Sequence, residues 1–359
     1  MRKNRKKPAS SDRSAHQEPP LNKAGFEQPP QRTRDDNFSL FHYTTASGLI
    51  GIIETKSLWA THASFLNDTT ECQLLSRLLT PQIEADFRRL VPKLMECDAF
   101  RPEIQHALRG DALTTEAEKA TSAILRAVDR TSPIHITSFC RHAVGAPECD
   151  HGLLSQWRGY AKGGFAIEFD ESQLDDLILE ETNAHSYQGL ITRQVEYHDH
   201  RKAAKIDRFE GLAAATLRVG FRENTPNLAT RPEVSQLLGD RDLESYIRAF
   251  VEAVPFLKSP RFAEENEYRI VALPTRSAKL VASINDKRPW KEISFREGWG
   301  GTMVPFIRLF KDLKNPLPIK KIIVGPHRDQ ENQMLAAKIL LEKHGFDVQV
   351  VKADTALRF

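Results

Sequence analysis

The C-terminal part of this chain contains the pattern that most restricts its fold: a strand, a helix and a second strand in direct succession. The apolar run IKKIIVG, residues 319–325, precedes a helical stretch at about 330–344, and DVQVV follows at 347–351. Each segment has the hydrophobic period of its type, which predicts a strand–helix–strand unit. A chain that contains this unit is neither all-helical nor all-β.

Strand patterns recur along the rest of the chain and alternate with helical stretches. Helices are predicted from Thr44–Thr45 to about Glu54, over most of 69–130 and over most of 200–255. The other predicted strands are FSLFHYT, SLWATHASF, IHITSFC, FAIEFD, QVEY, a strand within 258–273, KLVASI, EISFRE and MVPFIRLF. No long Pro/Gly-rich linker divides residues 37–359, so we expect one α+β domain. Its features are a single mixed or split β-sheet, a helical insertion at about 69–130 and the C-terminal unit.

Composition places the chain among ordinary globular proteins. Its 359 residues are 40% hydrophobic and 28% charged. No window approaches the run of about 20 apolar residues that a membrane span needs. The basic N-terminus is not followed by an apolar segment, so no secretory signal is predicted, and the expected location is cytoplasmic. Four cysteines are too few for a chain of this size to depend on disulfides.

The net charge of +3 is unevenly distributed. Residues 1–36 carry +4, whereas the remainder carries −1. The first 36 residues are rich in Lys, Arg, Ser, Gln and Pro, a composition that predicts disorder. This tail is able to contact nucleic acid or an acidic partner non-specifically, or it is only a solubilising leader. The nearly neutral remainder argues against a protein built mainly to hold a nucleic-acid backbone.

The stretch KSPRFAEENEYRIVAL, residues 258–273, contains the strongest candidate for chemistry. Its second half is a predicted strand, on which Glu265, Glu267 and Arg269 would share one side. Two close carboxylates oppose each other's ionisation, and a neighbouring guanidinium favours the charged form. Such a pair provides one carboxylate for charge stabilisation and another for proton transfer. The alternative is a solvated strand face with ion pairs.

Other polar and aromatic residues have both a structural and a functional interpretation. His42 alternates with Phe41 and Tyr43 on the first strand, as a structural histidine or a ligand contact. Trp157 and Tyr160 are three residues apart on a short helix and would share a face, in the core or as a stacking platform. A further polar cluster is either a turn with a helix start or part of a site: Asn67, Asp68 and Glu71.

Zinc and the common enzyme motifs have little support. The potential ligands Cys140, His142, Cys149 and His151 depart from the usual spacings of zinc sites, so no metal site is predicted. Glycine-rich nucleotide loops, the Gly-x-Ser-x-Gly motif and His-Glu-x-x-His do not occur.

The order of these blocks resembles a known bacterial family. The matching segments are HYT (42–44), GLIGIIE, SLWAT (57–61), FLND-x-x-E (65–71), SFC…LLSQWRGYA…GFAIEFD (138–170), KSPRFAEENEYRIV (258–271) and IKKIIVGP with the closing helix and DVQVV. From about residue 38 to 352 the chain is similar to the domain of unknown function family 2971 (DUF2971). That family name implies no reaction.

A more distant similarity, to ADP-ribosyltransferases, implies a reaction. Several ADP-ribosyltransferases place His or Arg on an early strand, Ser, Thr or Tyr on a middle element, and a Glu-x-Glu on a late strand. His42, Thr137–Ser138 and Glu265-x-Glu267 occur in that order. The similarity implies an ADP-ribosyltransferase-like fold with NAD as substrate and a macromolecular acceptor. Cleaving NAD passes through an oxocarbenium-like transition state, which a carboxylate stabilises.

The roles implied by this similarity are specific. Glu267 would stabilise the ribosyl cation, Glu265 would act as general base, and His42 would bind the ribose or the nicotinamide amide. The residues implied to bind NAD are His42, Tyr43, Thr44, Ser138, Trp157, Arg158, Tyr160 and Arg269. The expected biological role is a toxin or phage-defence effector. These roles require His42 and Glu267 to meet at one cavity.

Two alternative functions belong to other classes of protein. One is a non-catalytic nucleic-acid or protein-binding module whose polar cluster is structural. The other is a metal-dependent nuclease or hydrolase that uses Asp68, Glu71, Glu265 and Glu267.

Overall fold

A computed structural model describes most of the chain beyond the N-terminal tail. The described ranges are 37–66, 70–96, 112–131, 133–198, 209–224, 226–229, 231–241, 243–275 and 286–354. Three predictions lie outside these residues: the disorder of residues 1–36, the strand KLVASI and the polar cluster. Of that cluster, Asn67 and Asp68 are not described, and neither is the side chain of Glu71.

Ten strands form one open, mixed sheet within the described residues, and two short strands pair separately. In chain order the strands are β1 Phe38–Thr44, β2 Leu58–His62, β3 His135–Ala143, β4 Phe165–Phe169, β5 Tyr187–Gln194, β6 Glu196–Tyr197, β7 Leu257–Lys258, β8 Glu267–Pro274, β9 Ile293–Glu297, β10 Met303–Leu309, β11 Ile319–Val324 and β12 Gln349–Lys352. The separate pair is β6 with β7. Helices pack on the large sheet, so the predicted α+β class is confirmed.

Strand β3 is the branch point of the sheet. One of its edges pairs with β8, which in turn pairs with β5. The other edge pairs with β1 at residues 140–143 and with β2 at His135 and Ile136. From β1 the sheet continues through β4, β11 and β12, and from β2 through β10 and β9. The sheet therefore divides at residues 137–139, a point we call the fork.

Side chains replace the missing strand pairing at the fork. His42 Nδ1 donates to the carbonyl of Ser138 at 2.9 Å, and Thr137 Oγ1 donates to the carbonyl of Trp59 at 3.0 Å. Buried backbone carbonyls need partners, and these two bonds supply them where β1 and β2 part from each other. Since a carbonyl only accepts, the proton of His42 lies on Nδ1.

Helices cover both faces of the sheet. They are α1 Ala46–Thr55, α2 Thr70–Met95, α3 Ala112–Thr131, α4 Glu148–His151, α5 Leu154–Gln156, α6 Glu171–Ala184, α7 Leu212–Asn224, α8 Pro226–Ala229, α9 Pro232–Leu238, α10 Glu244–Ala253 and α11 Gln330–His344. Helices α1, α6 and α11 pack on the face that carries Phe139, Tyr268 and Ile270. Helices α2, α3, α7 and α10 pack on the face that carries Ile136 and Val271. Two apolar cores therefore enclose the sheet.

Several predicted elements are confirmed, and two strands were missed, β5 and the two-residue β7. Strands β11 and β12 run parallel and are joined by α11, as the C-terminal pattern predicts. Thr45 caps α1 by accepting from the Gly48 amide at 3.3 Å, and α2 and α3 occupy the predicted insertion. The sequence did not predict β5, because Gly189 and several polar residues obscure its alternation, and its register shifts between Tyr187 and Gly189.

Among the residues that the structure describes, none of the helices combines the length and apolar character that crossing a bilayer requires.

Candidate functional site

The register of the sheet decides which predicted site residues meet. Glu267 lies opposite Cys140, and Cys140 lies opposite Phe41. Directly opposed residues of antiparallel strands share a face, so these three side chains point to one side. His42 follows Phe41 on β1 and points to the other side, where its ring lies 5.8 Å from that of Phe139. The predicted meeting of His42 and Glu267 at one cavity therefore does not occur.

Four charged side chains form a buried network on the Glu267 side, which we call the ion-pair cluster: Lys258, Glu265, Glu267 and Arg269. Lys258 Nζ donates to Glu265 Oε2 at 2.6 Å and to Glu267 Oε2 at 2.9 Å. Arg269 donates to both oxygens of Glu267, from Nε at 2.7 Å and from Nη2 at 3.0 Å. The side chains are only 2–7% exposed. Two positive and two negative charges therefore balance inside the protein.

Glu265 reaches this cluster by a route that the sequence pattern did not predict. It is not on the strand with Glu267 and Arg269, because residues Pro260–Glu265 form a short 3-10 helix and β8 begins at Glu267. Asn266 ends the helix with a φ of 41°, a left-handed conformation that Asn tolerates better than most residues. This reversal brings Glu265 back onto Lys258.

The environments of the two carboxylates differ. Burial alone would raise the pKa of Glu267, but Arg269, Lys258 and a hydrogen bond from Ser138 outweigh burial and lower this pKa to about 2. Burial raises the pKa of Glu265, and Lys258 offsets only part of that effect. When the pKa values of two neighbouring carboxylates are shifted in opposite directions, the one with the lower pKa stays ionised and the one with the higher pKa is the better proton acceptor. The pKa values of the two carboxylates are therefore shifted in opposite directions.

Lys258 is the member of the cluster that sequence reasoning missed. It lies in β7, outside the large sheet, and contacts both carboxylates. Burial would lower the pKa of Lys258, but Glu267, Tyr160 and Glu265 raise it instead. The available signal was a lysine in the otherwise apolar run VPFLK, since a lysine is rarely buried unless it is paired.

The two aromatic residues of the middle block do not share a face. Trp157–Ala161 form a π-helical turn, in which residues three apart point in different directions. Trp157 is fully buried, whereas Tyr160 is 36% exposed. Arg158 is also exposed. Of the predicted stacking residues, only Tyr160 has both an exposed surface and an electrostatic interaction with Lys258 and Glu265.

Tyr43 and Trp157 are buried in the core. Their rings meet edge to face at 5.0 Å, and the Trp157 indole N–H donates to the carbonyl of His151 at 2.9 Å. The Leu153 amide donates to the Tyr43 hydroxyl at 2.7 Å, and that hydroxyl lies 2.8 Å from His142 Nε2. Stacking of nicotinamide on either ring is therefore not supported.

The remaining predicted residues have ordinary structural surroundings. Thr44 is buried beside Gly48, where an added Cβ would lie 2.0 Å from Thr44 Oγ1. Cys149 Sγ donates to the carbonyl of Ala143, and His151 Nδ1 accepts from the amide of Asp354. Among the described residues, no group of three or more His, Cys, Asp and Glu side chains is arranged to hold a metal ion.

We expect the free energy of unfolding to fall by up to about 3 kcal/mol as the pH decreases from 6.5 to 4, because of His142. Burial lowers the pKa of His142 from 6.5 to about 4, although Glu148 raises it slightly. The unfolded chain therefore takes up this proton at a higher pH than the folded chain, and acid favours unfolding. Urea unfolding across this range measures the effect. His142→Gln should flatten the profile, whereas the exposed control His327→Gln should not; equal profiles for both variants would contradict the assignment.

Comparison with known proteins adds a family but no reaction. Residues 156–270 match the model of a family described as "Protein of unknown function (DUF2971)". This segment includes Trp157, Tyr160 and the whole ion-pair cluster. No curated protein and no solved structure matches the chain significantly. The resemblance to the DUF2971 family that the sequence motifs predict is thus confirmed over residues 156–270.

Proposed function

We propose that this protein is an enzyme of the ADP-ribosyltransferase type, or an NAD-cleaving relative, and that the ion-pair cluster carries its chemistry without the binding role implied for His42, which lies on the opposite face of the sheet. One observation supports this proposal above others. Glu265 and Glu267 share a single lysine, yet the pKa of Glu265 is raised and that of Glu267 is lowered. An N-glycosidic bond breaks with the build-up of positive charge on the ribose, and an ionised carboxylate stabilises that charge.

Each group then has a definite role. The nicotinamide–ribose bond breaks, and its electron pair leaves with nicotinamide as a neutral molecule. Ionised Glu267 faces the cationic ribose, while Ser138 and Arg269 keep this carboxylate in place. The acceptor, water or a macromolecule, forms the new bond to the ribose and gives its proton to Glu265, whose raised pKa suits a general base. Tyr160 provides the exposed aromatic surface beside the cluster.

The proposed reaction requires one movement. The 3-10 helix Pro260–Glu265 covers the cluster, and the ring of Phe262 lies 4.8 Å from Lys258 Nζ. With carboxylates 5–7% exposed, NAD has no access until this helix moves outward. Separation of Glu265 from Lys258 would open the cluster and free the general base at the same time.

Release of nicotinamide from NAD by the purified full-length chain tests the proposal. We expect Glu265→Gln to reduce the rate about a hundredfold, because the amide cannot accept the proton. Glu264→Gln is a matched control, since Glu264 is exposed on the same 3-10 helix. Absence of NAD binding and of nicotinamide release in the wild-type chain would exclude this function. Consumption of NAD would suit a toxin or a phage-defence effector.

A second candidate, a non-catalytic nucleic-acid or protein-binding module, is favoured by the burial of the cluster. All four side chains are hydrogen-bonded and nearly inaccessible, as expected of a structural network. In that case Glu265→Gln would alter stability alone. Nucleic-acid binding that weakens steeply with salt and disappears without residues 1–36 would support this candidate.

A further inference from the structure

A second group of polar side chains lies on the arm of the sheet formed by β2, β10 and β9. Trp59 on β2 lies opposite Arg308 on β10, and Ser294 on β9 lies opposite Phe306. By alternation Trp59, Arg308 and Arg296 project from the same face of this arm. The ring of Phe306 lies 4.9 Å from that of Trp59 and 5.4 Å from the Arg308 guanidinium carbon.

This group has donors without acceptors. Arg296 Nη2 donates to Thr61 Oγ1 at 3.3 Å, and Arg308 Nη1 donates to Ser294 Oγ at 2.8 Å. The Nε atoms of both arginines and the Trp59 Nε1 are buried and have no hydrogen-bond partner in the structure. Within the described part of the chain, no carboxylate forms a salt bridge with Arg296 or Arg308. Burial lowers the pKa of Arg296, with no acidic group opposing the shift.

Such an arrangement is unfavourable unless an anion completes it. A buried donor without an acceptor loses its bond to water, and a guanidinium without a counter-ion loses much of its hydration as well. Each arginine is held in place by one hydroxyl, and the buried Nε–H of each is left without an acceptor. An oxyanion with several acceptor oxygens satisfies two guanidinium groups at once, which a single carboxylate does less well.

We propose that Trp59, Arg296 and Arg308 form a binding site for a phosphate or pyrophosphate group of a small molecule, such as a nucleoside diphosphate. The three unpartnered N–H groups supply its donors, and Thr61 and Ser294 orient the arginines. Each hydroxyl accepts from its arginine and can donate its own proton to a bound oxygen by a small rotation. This site requires no NAD cleavage and stands independently of the function proposed above.

The site and the ion-pair cluster occupy the same face of the sheet. Thr61 lies opposite Ile136, and Ile136 lies opposite Val271. Val271 is two residues from Arg269 on β8 and therefore points to the same side. A phosphate bound at the arginines would accordingly lie on the side of the sheet from which Glu267 projects.

Calorimetric titration of the full chain at low ionic strength tests this site, with inorganic phosphate, pyrophosphate and ADP as probes. We expect saturable binding, about ten-fold weaker in Arg296→Gln and in Arg308→Gln and undetectable in the double variant. The exposed control Arg328→Gln removes the same charge and should bind as the wild type does. Tighter binding of ADP than of pyrophosphate would identify a nucleotide ligand, and equal binding would identify the inorganic ion.

Thermal unfolding without ligand separates a binding role from a structural one. If the arginines serve a ligand, the single variants keep or raise the Tm, because an uncompensated buried charge has been removed. The proposal is overturned if the wild type binds none of the probes, or if the double variant binds them equally well. It is also overturned if the binding of single-stranded RNA depends on these arginines and the binding of ADP does not. Nicotinamide release, which depends on Glu265, is measured separately, so failure of either proposal is recognised independently.

Discussion

Glu267→Gln is expected to lower the free energy of unfolding by about 3–5 kcal/mol. Glu267 accepts hydrogen bonds from Lys258 and twice from Arg269, and its side chain is 5% exposed. A glutamine preserves the volume but leaves two buried cations facing a single carboxylate. The loss arises mainly from the uncompensated charge, and only partly from the lost hydrogen bonds.

Urea unfolding at pH 7 measures this effect. The control Glu264→Gln, three residues away on the 3-10 helix and exposed, should change the free energy of unfolding by less than about 0.5 kcal/mol. Lys258→Met/Glu267→Gln, which restores the balance between Arg269 and Glu265, should be less destabilised than the two single variants added together. Additive losses would show that the charges do not interact as the structure indicates.

The same carboxylate should make the protein sensitive to acid. Its pKa is about 2 in the folded state, against an ordinary value of 4.5. The folded state therefore holds the charged form more strongly, so this stabilisation is complete above pH 4.5 and is lost as the pH falls towards 2. Glu265 acts in the opposite direction, because its pKa is raised. In Glu267→Gln the free energy of unfolding should depend less on pH below 4.5. The dependence caused by His142 at higher pH should remain.

Trp157→Ala is expected to lower the free energy of unfolding by about 3–5 kcal/mol. The indole is fully buried against Tyr43 and bonds the carbonyl of His151. Two glycines allow this packing: an added Cβ at Gly152 or Gly325 would lie 2.5 Å or 2.8 Å from ring atoms of Trp157. A void in so tight a contact cannot close, because the sheet on one side and the glycine backbone on the other are fixed.

Thermal and urea unfolding measure this loss, with Trp290→Ala as the control. Trp290 is 42% exposed, and its removal should cost less than about 1 kcal/mol. Trp157→Phe should recover part of the stability by refilling the volume. Should Trp157→Ala retain wild-type stability and instead lose NAD binding, the ring would line a binding site, as the sequence similarity implied, and our placement of it in the core would be wrong.

The two candidate sites differ in their charge. The ion-pair cluster has opposed carboxylates and no net charge, whereas the arginines of β9 and β10 carry uncompensated positive charge. A phosphate-bearing substrate would gain affinity at the arginines and reactivity at the carboxylates. The 3-10 helix Pro260–Glu265 would then decide when the carboxylates are reached.

Local patterns in the sequence were sufficient for most of the described elements and for part of the candidate site. Apolar periodicity identified the unit of β11, α11 and β12, because each of its segments is long enough to show its own repeat. The alternation on β8 correctly put Glu267 and Arg269 on one side. Their spacing along one strand is a local property, which needs no knowledge of any partner strand.

The tertiary structure alone decided which groups meet. Lys258 contacts the carboxylates although it lies in a different strand. His42 does not reach the ion-pair cluster, because the register of β1 against β3 turns it to the opposite face. Arg296 and Arg308 share a surface with Trp59 only because β10 pairs between β9 and β2. Strand pairing depends on contacts between residues far apart in the chain, and a shift of one position would turn every side chain to the other face. The order of motifs along the chain does not specify the register in which two strands pair.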